Sequence, residues 1–377
     1  MITCNRCSYD DKKIPFITFN TDGVCNYCEQ YERMEKEFPN GNEGETKLNE
    51  LVLKIKKDGK NKKYDVVVGF SGGCDSSYLL DLAIRKGLRP LAVHYDNTWN
   101  SKIAVENIYK ITKKLNVDLY THVVEAKEHN EIYKSFLKAS VPDIDSHNDM
   151  GLETTLYLAA KKHRIKYIWQ GHSFRTEGIT PHGWTYIDAK YIQSVHEKNG
   201  GKKIKSIPMM WLHKWFKWMI FDKIKRIRPL YYVDYNKKEV KEYLKKKFDW
   251  EWYGGHHMEN KTSYFVNNFW LPKKFGIDTR LVENAAQVRS GQITKEEASK
   301  IINEEMIYDD SITEEIKSRL ELNDEVFSTL LKAPNKSFKD YKNYKKTFES
   351  LRWLFWILYK FDFVPKSFYE KYTKKYD

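Results

Sequence analysis

The segment VVVGFSGGCDSSYLLDLA, residues 66–83, restricts the fold more than any other part of this 377-residue chain. Its β-branched run reads as a buried strand and its Leu-rich end as a helix, with only the turn 71–77 between them. Gly72 and Gly73 lack a Cβ, so backbone N–H groups can approach an anion closely. Around Cys74, the hydroxyls of Ser71, Ser76 and Ser77 add donors, and the helix dipole adds a favourable field. Asp75 is placed to hold Mg²⁺ against phosphates. No GxxxxGK[ST] occurs, so the lysine that grips β and γ phosphates in kinases and GTPases is missing, and different phosphate chemistry is expected.

From Tyr64 the chain alternates apolar strands with amphipathic helices: YDVVVGF, a helix over 76–87, RPLAVHYDN, a helix near 101–115, DLYTHVV, a helix near 151–163, then KYIWQGH. This rhythm predicts an α/β fold with a parallel sheet covered on both faces. The units expected are a cysteine unit at 1–30, a helical spacer at 31–63, the α/β core at 64–198 and a mainly helical substrate or partner region at 199–377. Asp96 and Asn97 fall at the carboxyl end of the second strand, where open α/β sheets bind ligands, and are candidate nucleoside contacts. QGHSFRTEG follows the fourth strand; within it Glu177 is a candidate second Mg²⁺ ligand and Arg175 a candidate phosphate contact.

SGGCDSS after a strand resembles the PP-loop ATP pyrophosphatase superfamily, which includes NAD synthetase, GMP synthetase and tRNA-modifying enzymes. The resemblance implies ATP cleaved between its α and β phosphates, with adenylation of a substrate oxygen. Gly171 and His172 resemble the segment that closes the adenylate pocket in some members.

Cys4-x-x-Cys7 and Cys25-x-x-Cys28 lie 17 residues apart, a spacing that tetrahedral Zn²⁺ accepts. Four thiolates fill the shell, so the metal is expected to be structural, folding a piece too small for a core of its own. Cys74 is the fifth and last cysteine. PP-loop sulfur transferases generally use further cysteines near the site, so thiolation is not expected.

The order CNRC, DGVCNYC, SGGCDSS, then RPLYYVDYNKKEVKEYLKKKFDWEWYGGHHMENKTSYFVNNFWLPKKFGIDTR and SGQITKEEA, resembles the N-acetyl sugar amidotransferases that install acetamidino groups during surface-polysaccharide biosynthesis. The resemblance covers most of residues 1–300. It implies that an acetamido oxygen attacks the α-phosphorus of ATP and that ammonia then displaces AMP from the O-adenylated imidate. It also implies a nucleotide-linked N-acetyl sugar as substrate, and ammonia from a separate glutaminase with a cyclase-like companion, since no glutaminase nucleophile is evident here. Within GGHHMEN, His256, His257 and Glu259 are candidates to take the proton from ammonia. Asn260, Lys261 and Arg280 are candidate contacts to hydroxyl or phosphate oxygens.

A formal net charge of +13 favours anionic partners without choosing among them. The N-terminus carries no secretory pattern, and no run approaches the roughly 20 apolar residues of a membrane span, so a cytoplasmic location is expected. PMMWLHKWFKWMIFDKIKRIRP fits a basic amphipathic helix usable as core or dimer contact, as a sugar platform or lid, or as a peripheral membrane contact. The tail LRWLFWILYKFDFVP is apolar around much of a helix and is expected to pack inside or in a homo-oligomer interface. The alternative function is a tRNA-modifying ligase adenylating a base oxygen. Basic residues are interleaved with acids and no RNA-binding module is evident, so no nucleic-acid partner is expected.

Overall fold

The computed structural model describes residues 1–255, 257–361, 363–364 and 366–375. Two helices, α1 (Asn26–Glu37) and α2 (Gly41–Gly59), precede the sheet. Then come β1 (Val66–Gly69), α3 (Cys74–Arg85), β2 (Pro90–Asp96), α4 (Lys102–Leu115), β3 (Leu119–Val123), α5 (Ala126–Ala139), α6 (Ser146–Lys162), β4 (Tyr167–Trp169), α7 (Ala189–Lys198), α8 (Leu212–Phe216) and β5 (Lys225–Ile227). All strand pairs are parallel, in the order β3-β2-β1-β4-β5. The α/β fold expected from the rhythm is therefore present, and the sheet draws its fifth strand from beyond residue 198, inside the stretch expected to be mainly helical. That strand is only Lys-Arg-Ile, too short and too charged to give a periodic signal.

The β-strand period of two distributes β1 between two cores. Val66 and Val68 face α2, α3 and α4 through Leu48, Ile55, Leu79, Leu80, Ile108 and Ile111. Val67 faces the opposite way, joining Leu91, Val93 and Ile168 against α5, α6 and α7. Each fully buried aliphatic side chain of this kind contributes about 1.5–3 kcal/mol, which is why the strands read as unbroken apolar runs. β2 and β3 lie on one side of β1 while β4 and β5 lie on the other, so the order of strand addition reverses between β1 and β4 although every strand runs the same way. A crevice opens at the carboxyl ends of those two strands, where the ligands of such sheets bind.

Beyond the sheet come α9 (Lys237–Phe248), α10 (Lys261–Phe265), α11 (Arg280–Arg289), α12 (Lys295–Asn303), α13 (Asp310–Arg319), α14 (Asp324–Lys332), α15 (Lys345–Ser350), α16 (Arg352–Lys360) and α17 (Lys366–Thr373). α9 starts where the sequence signals it, with the Asn236 side chain accepting the N–H groups of Lys238 and Glu239. The aromatic segment around α8 buries Trp215, Trp218 and Met219 and leaves Phe221 exposed. On α16, Phe355 and Leu358 are buried whereas Trp353 and Trp356 are exposed, so the tail is less enclosed than its apolar sequence implies. Among the described residues, no helix is long and apolar enough to cross a membrane.

Candidate functional site

Gly73 caps α3, and Gly72 has φ +79°, a left-handed conformation that glycine adopts without strain. A Cβ on Gly72 would lie 2.3 Å from the Ala104 carbonyl oxygen, so close packing on α4 also demands glycine. The Gly72 carbonyl is held inside the protein by the Trp250 indole N–H at 2.9 Å and the Asn107 amide at 3.4 Å. Ser71 Oγ accepts the Gly73 N–H at 3.3 Å and lies 3.1 Å from Ser76 Oγ. Ser77 is wholly buried and does not line the cavity. Cys74 is also buried, its Sγ 3.6 Å from the Tyr235 hydroxyl. Burial, with Asp75 beside it, pushes the Cys74 thiol up to about 12, which makes it a poor nucleophile at neutral pH.

A cavity of about 320 Å³ lies over this loop at the switch point. Ser71, Gly73, Cys74, Asp75 and Ser76 line one side. Gly171, His172, Glu177, Arg228, Lys237, Tyr253, His257 and Glu259 line the rest. At Gly171 a Cβ would lie 3.1 Å from the Asp75 carbonyl carbon, so a side chain there would crowd the close approach of the β4 loop to the start of α3.

Lys237 is the electrostatic hub. Its Nζ lies 3.6 Å from Asp75, 3.9 Å from Glu177 and 3.5 Å from Glu283, and these carboxylates outweigh burial and keep it charged. Tyr235 donates its hydroxyl to Asp75 Oδ1. Burial, then the nearby Asp75, raises the Glu177 carboxyl to about 8. Two carboxylates crowded in one cavity suit Mg²⁺, which is commonly held by one or two protein carboxylates together with substrate phosphates; Asp75 and Glu177 would hold it here. His172 is lowered to about 3 by burial and by the cations Arg228, Lys237 and His257, so it is a neutral lining group.

Across the cavity, His257 Nδ1 lies 3.8 Å from Glu259 Oε1. Enclosure disfavours imidazolium, but the hydrogen bond and charge of Glu259 raise His257 to about 9. Burial favours a neutral Glu259, and His257 outweighs it, keeping that carboxyl below its ordinary range. Glu259 Oε2 is buried with no hydrogen-bond partner among the described residues. His256 lies outside the described residues.

Six of the residues singled out by sequence lie away from this cavity, engaged within the protein. Asp96 Oδ1 accepts Thr98 N–H and an Asn100 amide N–H. Asn97 is buried and bonded to Trp99, Asn148 and Asn260. Asn260 caps α10 through Thr262 and Ser263. Lys261 pairs with Glu315 at 2.6 Å. Arg175 is buried, donating to the carbonyls of Tyr231 and Phe38. Arg280 forks onto Asp278 and reaches the carbonyls of residues 301, 302 and 304 at the end of α12. Lys237 and Arg228, which nothing in their sequence surroundings distinguishes among 65 lysines and arginines, take the cationic positions instead.

The four N-terminal cysteines are buried, with sulfur atoms all within 4.8 Å of one another. The Cys4–Cys28 and Cys7–Cys25 separations are both 3.8 Å. That is about the edge of a tetrahedron with metal–sulfur bonds of about 2.3 Å, so the set fits Zn²⁺. Arg289 of α11 donates to Cys28 Sγ at 3.3 Å and Cys7 Sγ at 3.2 Å, placing a cation beside the thiolates.

Comparison with known proteins finds a family-model match in the C-terminal part of the chain. Residues 259–354 match the model described as LPS biosynthesis protein WbpG-like, C-terminal domain. This WbpG-like segment is consistent with the N-acetyl sugar amidotransferases, and it opens at Glu259, the acid facing the phosphate loop. A Methanocaldococcus jannaschii protein described as uncharacterized is 28% identical over 170 residues, or 45% of this chain; the match spans 58% of that relative's length. Among solved structures, the NH3-dependent NAD synthetase of Campylobacter jejuni is 13% identical over 77% of this chain and 98% of its own, with a TM-score of 0.30. The U34-tRNA thiolase of Methanococcus maripaludis is 14% identical over 86% and 99%, also at 0.30. These overlaps are loose, and the α/β assignment stands on the sheet itself.

Proposed function

We propose that this chain is an ATP-dependent amidotransferase that converts the N-acetyl group of a nucleotide-linked sugar to an acetamidino group in surface-polysaccharide biosynthesis. The observation that carries the reading is that Glu259, where the WbpG-like segment begins, lines the same cavity as the Ser71–Ser76 loop.

An amide carbonyl resists ammonia because oxide cannot leave. In the first step the acetamido oxygen forms a bond to the α-phosphorus of ATP and pyrophosphate departs. The loop N–H groups and hydroxyls, with Lys237 and Arg228, hold the phosphates in line for that attack. Mg²⁺ held by Asp75 and Glu177 would supply further charge neutralisation. In the second step ammonia adds to the imidate carbon, the new nitrogen loses a proton, and the C–O bond breaks to release AMP. Glu259 is the acceptor for that proton: it is ionised, and one oxygen has no hydrogen bond to give up. His257, raised to about 9, is protonated at neutral pH and so acts as a cation facing the phosphate rather than as the base. Ammonium dominates in neutral water, so ammonia delivered directly by a separate glutaminase with a cyclase-like companion fits this chemistry.

The test is mass spectrometry of UDP- and CMP-linked N-acetyl sugars incubated with the protein, ATP and ammonium. Replacement of one oxygen by NH with stoichiometric AMP is expected; ADP as product, or no exchange with any such sugar, would overturn the reading.

A further inference from the structure

A second cavity, of about 290 Å³, opens beside the edge strand β5 and contains none of the phosphate loop. Arg228, the first residue after β5, lines both cavities, so the two are neighbours. The second cavity's wall combines two chemistries. Tyr231 and Tyr232 stand edge-on to Phe38 at 5.1 and 5.6 Å and present aromatic surface. Six lysines and arginines line it against two glutamates, and among the described residues only one of those cations, Arg226, is bound up with a carboxylate from outside the cavity, Glu153. No ion pair engages Arg228, Lys54 or Lys225 among the described residues. A surplus of cations on aromatic walls suits a ligand with both phosphates and a planar ring.

We propose that this cavity binds the nucleoside diphosphate of a second substrate, so that the group the nucleotide carries extends past Arg228 toward the phosphate loop. The loop cavity then holds ATP and the β5 cavity holds the other nucleotide, with Arg228 between their phosphates. That the carried group is an N-acetyl sugar rests on the reading above; the existence of the second nucleotide site does not.

Isothermal titration of the zinc-loaded full chain with UDP and with CDP, each with and without saturating α,β-methylene-ATP, tests this. At least one diphosphate should bind one-to-one and be undisturbed by the ATP analogue. The double variant Lys54→Glu, Lys225→Glu should weaken it tenfold or more while leaving the analogue's affinity unchanged. Ser76→Ala should weaken the analogue alone. Displacement of the diphosphate by the analogue, unchanged affinity in the double variant, or binding of inorganic pyrophosphate as tight as UDP would each overturn the proposal. Intact UDP binding in a protein that never amidates a sugar would count against the proposed reaction and leave this site standing.

Discussion

Proton positions at His257 and Glu259 set what the cavity can do. Replacing Glu259 by Gln keeps the shape and removes the acceptor, so amidination should fall about 10²–10⁴-fold. Substrate-dependent exchange of pyrophosphate into ATP, which reports adenylation alone, should survive; its equal loss would assign Glu259 to the first step. The pair also gives a pH signature. His257 is raised in the fold to about 9, so its stabilising contribution is complete below about 6.5, where the unfolded imidazole is itself protonated, and fades as pH rises through about 9. Glu259 is depressed, so its contribution holds above about 4.3 and fades as pH falls through its lower folded value. Activity should therefore decline on the alkaline side near pH 9, and His257→Gln should abolish that limb of the profile; a limb unchanged in the variant would remove His257 from the chemistry.

Pairs of elements position the rest. α3 supplies Asp75 at its first turn and buries Asp81 further along. Asp81 accepts Tyr243 at 2.6 Å and Lys247 at 2.8 Å from α9, and so docks the two helices. That docking sets Tyr235 and Lys237, at the start of α9, against Asp75. Lys237→Ala should thus raise the KM for ATP without changing the fold, checked by unaltered circular dichroism. A more severe outcome is expected for Gly72→Ala. Its left-handed backbone costs about 1–2 kcal/mol with any L side chain, before the overlap with the Ala104 carbonyl is counted. ATP-analogue binding should be lost together with a lowered Tm, and wild-type affinity in this variant would mean that the loop does not hold the nucleotide.

At the scale of the molecule, the cysteine unit is not an independent bead. Its buried cysteines, Tyr9 and Tyr27 share a core with Trp184 and with Leu281, Val282 and Ala285 of α11. Arg289 stacks on Tyr9 at 4.5 Å while donating to two of the sulfurs. α11 also carries Glu283, one of the three carboxylates around Lys237, so the cysteine cluster and the cavity share one helix. Removing zinc with a strong chelator should lower the Tm of the whole chain and weaken nucleotide binding; unfolding confined to the first 30 or so residues would separate the two. Arg289→Met should speed zinc loss to a chromogenic chelator, because the thiolate charge loses its buried counter-cation.

The four-cysteine cluster, the Gly/Ser turn under the cavity and the parallel α/β core were legible because each is a local pattern: paired knuckles, a turn between strand and helix, apolar runs alternating with amphipathic ones. Local chemistry fixes such features wherever the chain later packs. The cations lining the cavity were not legible, since Lys237 and Arg228 carry no distinguishing neighbours in sequence and owe their positions to the docking of α9 on α3 and to a three-residue edge strand. Asn97, Arg175, Lys261 and Arg280 had suitable chemistry and favourable sequence positions, yet packing spent their hydrogen bonds on carbonyls, caps and ion pairs elsewhere. A residue's type sets what its side chain can bond, but which partner it meets depends on contacts between segments far apart in sequence, and those only the folded chain decides.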